Sequence, residues 1–215
     1  MQGHNKRFIS NTLQYLQQNA LLIPQALAPV VGGGGIAVFD LQPIGAGQTS
    51  LINWAAHPRS TRWGTQRPIS AYWLPWVSTT TQIRALGAAA DFMFTPELNG
   101  CYIGVDAGLP TVAHVAGDIV GAHLLVNLVN AATVALGAAP ARRFNSNPMD
   151  ATAVTFVGRR NRTTGVWTFY AQGNTGNVGH AMAAGGIVRE HVYNTAALAL
   201  AEGFPGQANQ DVVTV

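Results

Sequence analysis

Short apolar runs and alternating apolar and polar positions fill most of the chain, and their lengths predict strands more often than helices. Ile36–Phe39, Asp91–Phe94, Tyr102–Val105 and Thr111–Val115 read as strands. Thr152–Val157 and Val166–Ala171 read as a hairpin with Arg159–Gly165 as its turn, and Ile187–Val188 begins a last strand. Two stretches carry the helical period instead. Residues 8 to 22 place Ile9, Leu13, Leu16 and Ala20 on one stripe that Pro24 closes. Residues 121 to 137 place Ala122, Leu125, Val126, Val129, Ala132, Thr133 and Leu136 on one face and His123, Asn127 and Asn130 on the other. A short helix or turn is expected over 79–90, and helical character from His191 to Ala201. Residues 41–69 read as a long loop or irregular strands, Pro140 to Pro148 as a loop and Gly173–Gly179 as a turn. In Tyr72-Trp73-Leu74-Pro75-Trp76 the proline fits a strand end or an edge strand, and the aromatics fit a core or a substrate-facing wall. No internal repeat and no linker divides the chain, so residues 1–215 form one α/β domain of the α+β type.

Composition narrows the classes. Only 10% of residues are charged against 48% apolar, which is a buried, folded composition. Residues 119–139 carry no formal charge, yet their polar face argues for an amphipathic helix rather than a membrane span. The first eighteen residues lack the continuous apolar core of a signal peptide. Eleven arginines and one lysine oppose nine acids, for a net charge of +3. The clusters Arg59/Arg62/Arg67, Arg142-Arg143 and Arg159/Arg160/Arg162 suit solvated loops or a docking face for an acidic protein better than nucleic acid, which calls for a denser stripe and a motif. Gly32–Gly35 is followed by a strand and no Gly-Lys-Ser/Thr, so it reads as a turn and not a phosphate cradle.

Candidate chemistry gathers between Thr95 and His114. Cys101 is the only cysteine, which excludes an intrachain disulfide and a cysteine-cluster metal site. It follows Asn99-Gly100 where a turn enters a strand, and His114 lies on the next predicted strand after a tight connection. Paired strands would bring thiol and imidazole within reach, the arrangement a cysteine nucleophile needs. A buried thiol serving as a small apolar side chain accounts for the same residue. His57, His180 and His191 have no ligand-like residue at metal spacing and read as structural.

Trp73-Leu74-Pro75-Trp76, Phe94-Thr95, Leu98-Asn99-Gly100-Cys101 and His114 together resemble the catalytic region of the glutamine deamidase toxins related to Burkholderia lethal factor 1 and the cytotoxic necrotizing factors. The resemblance covers Trp73 to His114, and elsewhere only the order of strands agrees. It implies a β-sandwich core of mixed sheets flanked by helices and long loops. It also implies a cofactor-free deamidase with Cys101 as nucleophile, His114 as base and Thr95 orienting the histidine. Asn99 and Gly100 would border the substrate, and Asn99 stands where the family has serine. The implied partner is a host protein, a small GTPase or a translation-initiation helicase, modified in the reducing host cytosol by a monomer that another system delivers, with no nucleic acid or membrane involved. Loops Gly45–Arg67 and Arg142–Pro148 are expected at the rim of the cleft. Two alternatives are a non-catalytic protein-binding module and a cysteine hydrolase of the peptidase type.

Overall fold

A computed structural model of the chain describes residues 3–54, 67–106, 110–119, 125–138, 140, 142–145, 153–174, 188–193 and 213–214. The N-terminal stripe is not one helix. It forms α1 (His4–Ser10) and α2 (Thr12–Gln18), then turns into a short strand, β1 (Ala20–Leu22). Asn11 causes the first break: its backbone is extended, and its side chain accepts a hydrogen bond from the Gln14 N–H as the N-cap of α2. Thr12 donates its hydroxyl to the Phe8 carbonyl across the same junction.

Gly33–Gly35 is a single 3-10 turn leading into β2 (Ile36–Gly45), which pairs antiparallel with β3 (Gln48–Asn53). Of the stretch expected as a long loop or irregular strands, residues 41–53 belong to this hairpin and 55–66 lie outside the described residues. β4 (Ile69–Trp73) ends before Pro75, as the proline requires. β5 (Thr81–Ala85) is a strand where a helix or turn was expected, because all five of its residues pair with β8 (Thr111–Val115). β6 (Phe92–Phe94) and β7 (Tyr102–Val105) fall where the apolar runs put them. α3 (Leu125–Leu136) lies within the amphipathic stretch, and no helix among the described residues is long and apolar enough to cross a membrane. β9 (Arg142–Asn145) replaces part of an expected loop by pairing with β7. β10 (Ala153–Arg160) and β11 (Trp167–Asn174) make the expected hairpin, with Arg159 and Arg160 inside the strand and Gly165 (φ +74) in the turn. β12 (Val188–Tyr193) carries His191 in a strand rather than a helix, and β13 (Val213–Thr214) pairs with it. His57, Arg59, Arg62, His123, His180, the residues after Asn174 in the expected turn and those after Tyr193 in the expected helix lie outside the described residues.

Among the described residues the strands form a nine-stranded sheet in the order β1-β3-β2-β4-β6-β10-β11-β12-β13 and a four-stranded sheet in the order β5-β8-β7-β9. The larger is mixed, with β1/β3 and β4/β6 parallel, and the smaller is antiparallel throughout. Alternation along the strands sorts side chains into three interiors. Tyr72, Met93, Phe156 and Phe169 of the large sheet meet Cys101, Ile103, Val105 and Val112 of the small one. On the other face of the large sheet, Phe39, Trp73, Phe92, Phe94 and Tyr170 pack with Phe8, Tyr15 and Leu16 of α1 and α2. On the other face of the small sheet, Tyr102, Ala113 and Val115 pack with Leu128 and Ala132 of α3. The fold is thus a sandwich of two sheets with helices on both outer faces.

Candidate active site

The register of β7 and β8 decides whether thiol and imidazole can meet. Ile103 pairs with His114 and Tyr102 with Val115, so paired residues share a face and neighbours alternate. Cys101, one residue before β7, follows Ile103 and Val105 into the interior between the sheets, and His114 points into the same interior from β8. The two stand diagonally, one step apart along an antiparallel pair, within reach of side chains of this length. Both are buried, Cys101 at 2% exposure and His114 at 1%.

Thr95 reaches the histidine from the opposite sheet. Phe92 and Phe94 face the helices, so the next residue turns toward the small sheet, where Thr95 Oγ1 and His114 Nδ1 share a hydrogen bond of 2.6 Å. This bond spans the sandwich and fixes the ring. Either the threonine hydroxyl or Nδ1–H donates in this bond, and in the tautomer with the proton on Nδ1 the Nε2 atom keeps its lone pair. Nε2 is buried and has no hydrogen-bond partner among the described residues. Burial alone pushes the His114 pKa down to about 3, so the ring is neutral at physiological pH.

Three loops surround the sulfur. Gly100 adopts φ +73, a left-handed turn that suits glycine, and delivers the chain from exposed Asn99 into buried Cys101. The thiol makes a long contact of 3.9 Å to the Asn99 carbonyl. Gly117, just after β8, packs against this turn so closely that a Cβ there would lie 2.7 Å from the carbonyl carbon and oxygen of Gly100. Trp76, after β4, packs against the same interior, and its Nε1–H is buried without a partner of ordinary hydrogen-bond geometry. Asp118 braces the loops: it accepts from the Ser78 hydroxyl at 2.6 Å and the Thr79 N–H at 2.8 Å, which holds its own pKa down. Burial raises the pKa of Cys101, and the Asp118 charge adds to this. The main-chain groups of Gly117 and Asn99 and the Trp76 indole act in the opposite sense without overcoming it. The resting pair is therefore a thiol beside a neutral imidazole, not a thiolate and imidazolium.

Thr95 and His114 are hydrogen-bonded, Cys101 faces the same interior as His114 from the neighbouring strand, and Asn99 and Gly100 lie exposed next to Cys101 in the chain. Of the two segments expected at the rim, residues 55–66 and 146–148 lie outside the described residues. The Gly45 turn and Arg67 lie at the end of β4 that holds Ile69, whereas Trp73 at its other end pairs with Phe94, next to Thr95. In the small sheet Asn145 pairs with Tyr102, close to the cysteine, and Arg142 with Val105, away from it. Among the described residues the loops at the site are 74–80, 95–100 and 116–119. Trp76 belongs to the aromatic block that read as core or substrate-facing wall, whereas Gly117 and Asp118 had no local signal, since 39 and 40 residues separate Asp118 from its partners. Among the described residues no three His, Cys, Asp or Glu side chains come together as metal ligands. Comparison with protein-family models finds no match for this chain, and comparison with curated proteins finds none either.

Proposed function

We propose that the chain is a cysteine-dependent protein glutamine deamidase, a toxin-like effector that converts a glutamine of a host protein to glutamate. The observation that carries this reading is the convergence of Cys101 and His114 on one face, with Nδ1 held by Thr95 and Nε2 open. Because both groups rest neutral, His114 acts as a general base on demand: Nε2 takes the thiol proton as sulfur bonds to the carboxamide carbon. The developing oxyanion needs hydrogen-bond donors beside the sulfur, and the Trp76 indole N–H, buried and without a partner among the described residues, is a candidate for one of them. The imidazolium then gives its proton to the departing nitrogen, releasing ammonia and leaving a thioester. Water, losing a proton to His114, hydrolyses the thioester to glutamate and restores the thiol. An amine in place of that water would give transglutamination by the same site. The target, by resemblance a small GTPase or a translation-initiation helicase, would meet the enzyme in a reducing compartment that keeps the thiol free.

Intact-mass and peptide analysis of a host lysate treated with wild type or Cys101→Ser tests this. A mass gain of about one dalton at particular glutamines that depends on Cys101 is expected from amide-to-acid chemistry, and identical lysates sink the proposal. The near-complete burial of the thiol favours a second reading, a catalytically silent protein-binding module. Because the resting thiol is buried and neutral on either reading, turnover separates the two: ammonia release in the treated lysate that requires both Cys101 and His114 supports the enzyme, and none supports the module.

A further inference from the structure

A second feature lies at the other end and on the other face of the large sheet. Arg67, Asp91, Arg159, Arg160 and Arg162 line an open groove of about 650 Å³ with Ile9 and Tyr170 among its walls. Phe92 and Tyr170 face the helices, so the groove is on the helix side of the sheet, whereas Thr95 faces the small sheet. Asp91 precedes β6 and Thr95 follows it. Four residues of strand separate the two sites by roughly 13 Å, so an occupant of one leaves the other open.

The groove is electrostatically unbalanced. Asp91 pairs with Arg160 at 3.5 Å and with Arg162, whose side chain is 84% exposed. Arg159 donates from its Nη2 to the neutral Ile9 and Ser10 carbonyls at the end of α1 and has no carboxylate partner among the described residues. Arg67 is exposed and has no carboxylate partner among the described residues. Among the described residues of the lining, four guanidinium groups stand against one carboxylate, an excess of three positive charges. Such a surface attracts anions, and guanidinium forks match carboxylates in bidentate geometry.

We propose that this groove docks an acidic segment of a protein partner, seating two or three Asp or Glu carboxylates on the arginines. The aromatic rings in the groove favour a peptide over a nucleic acid. Phe92 and Tyr170 are only 6% and 5% exposed, too covered to stack bases, and the cations form a compact set rather than a track along a phosphate backbone. The inference stands apart from the deamidase reading and needs no catalysis for its test.

Fluorescence anisotropy of a fluorescein-labelled hexaglutamate peptide titrated with the full chain measures the interaction. Saturable binding is expected, weakening about ten-fold or more as salt rises from about 50 to 250 mM. The Arg67→Gln/Arg162→Gln double variant should weaken binding about ten-fold. The matched control is Asn130→Glu/Val134→Glu, which changes net charge by the same amount at exposed sites on α3 and should bind within about two-fold of wild type. Because Arg67 breaks no ion pair, Arg67→Gln alone must already weaken binding. Absence of binding overturns the proposal. Equal losses in the two double variants also overturn it, since binding would then follow net charge. So does displacement of the peptide by a single-stranded RNA oligonucleotide at lower concentration than unlabelled hexaglutamate.

Discussion

The hydrogen bond between Thr95 and His114 holds one ring nitrogen, and the other is buried without a partner among the described residues. Thr95→Val keeps the shape of the side chain but strands Nδ1, which should cost about 1–3 kcal/mol in urea denaturation. If the variant is as stable as wild type, the bond contributes nothing. His114 also writes a pH dependence into stability. The denatured chain protonates this ring near its ordinary 6.5, whereas the folded chain keeps it neutral to about 3. Between those values the unfolded state binds more protons, so the folded state loses stability as pH falls. Glu97 runs the other way: burial raises its pKa to about 7, so its contribution is lost as pH rises from 4.5 to 7. The difference between wild type and His114→Asn isolates the histidine. Going from pH 7 to 5, wild type should lose about 2 kcal/mol relative to the variant. Equal shifts would mean the ring is solvated.

At the scale of elements, the site depends on how closely two turns approach. Gly100 turns the chain into Cys101, and Gly117 lies against that turn with no room for a methyl group. The obstructing atoms are backbone, so they cannot rotate away. Gly117→Ala should therefore lower stability by about 1–3 kcal/mol and change the rate of Cys101 alkylation; an unchanged rate with a normal unfolding midpoint would show that the turns are loosely packed. Little of this was legible in the chain. Asn99-Gly100-Cys101 signals a turn entering a strand because those residues are contiguous, but nothing local marks Gly117 as its neighbour. Likewise β5 and β9 exist because β8 and β7 offer free edges, and neither Thr81–Ala85 nor Arg142–Asn145 carries an apolar period of its own.

At the scale of the whole molecule, buried polar side chains tie the layers together. Gln172 of β11 accepts from the Leu21 N–H at 2.8 Å and donates to the Leu16 and Asn19 carbonyls at 2.6 and 2.9 Å, tying α2 and the edge strand β1 to β11. Gln172→Leu leaves three buried main-chain groups unpaired and should cost about 3 kcal/mol or more, read as a fall in the free energy of unfolding; a neutral result would mean water or the chain repairs them. The layers also set what the sequence could disclose. Strands with continuous apolar runs, the β10–β11 hairpin, the amphipathic stretch containing α3 and the candidacy of Cys101 and His114 were all readable, because strand alternation and turn chemistry depend on adjacent residues. By itself the chain determined a mixed, strand-rich fold and a cysteine and histidine on successive strands. Only the tertiary structure decided that both face one interior, that Thr95 meets His114 across two sheets, and that burial keeps both groups neutral. Those outcomes depend on which strands pair, and on how far water is excluded once they do.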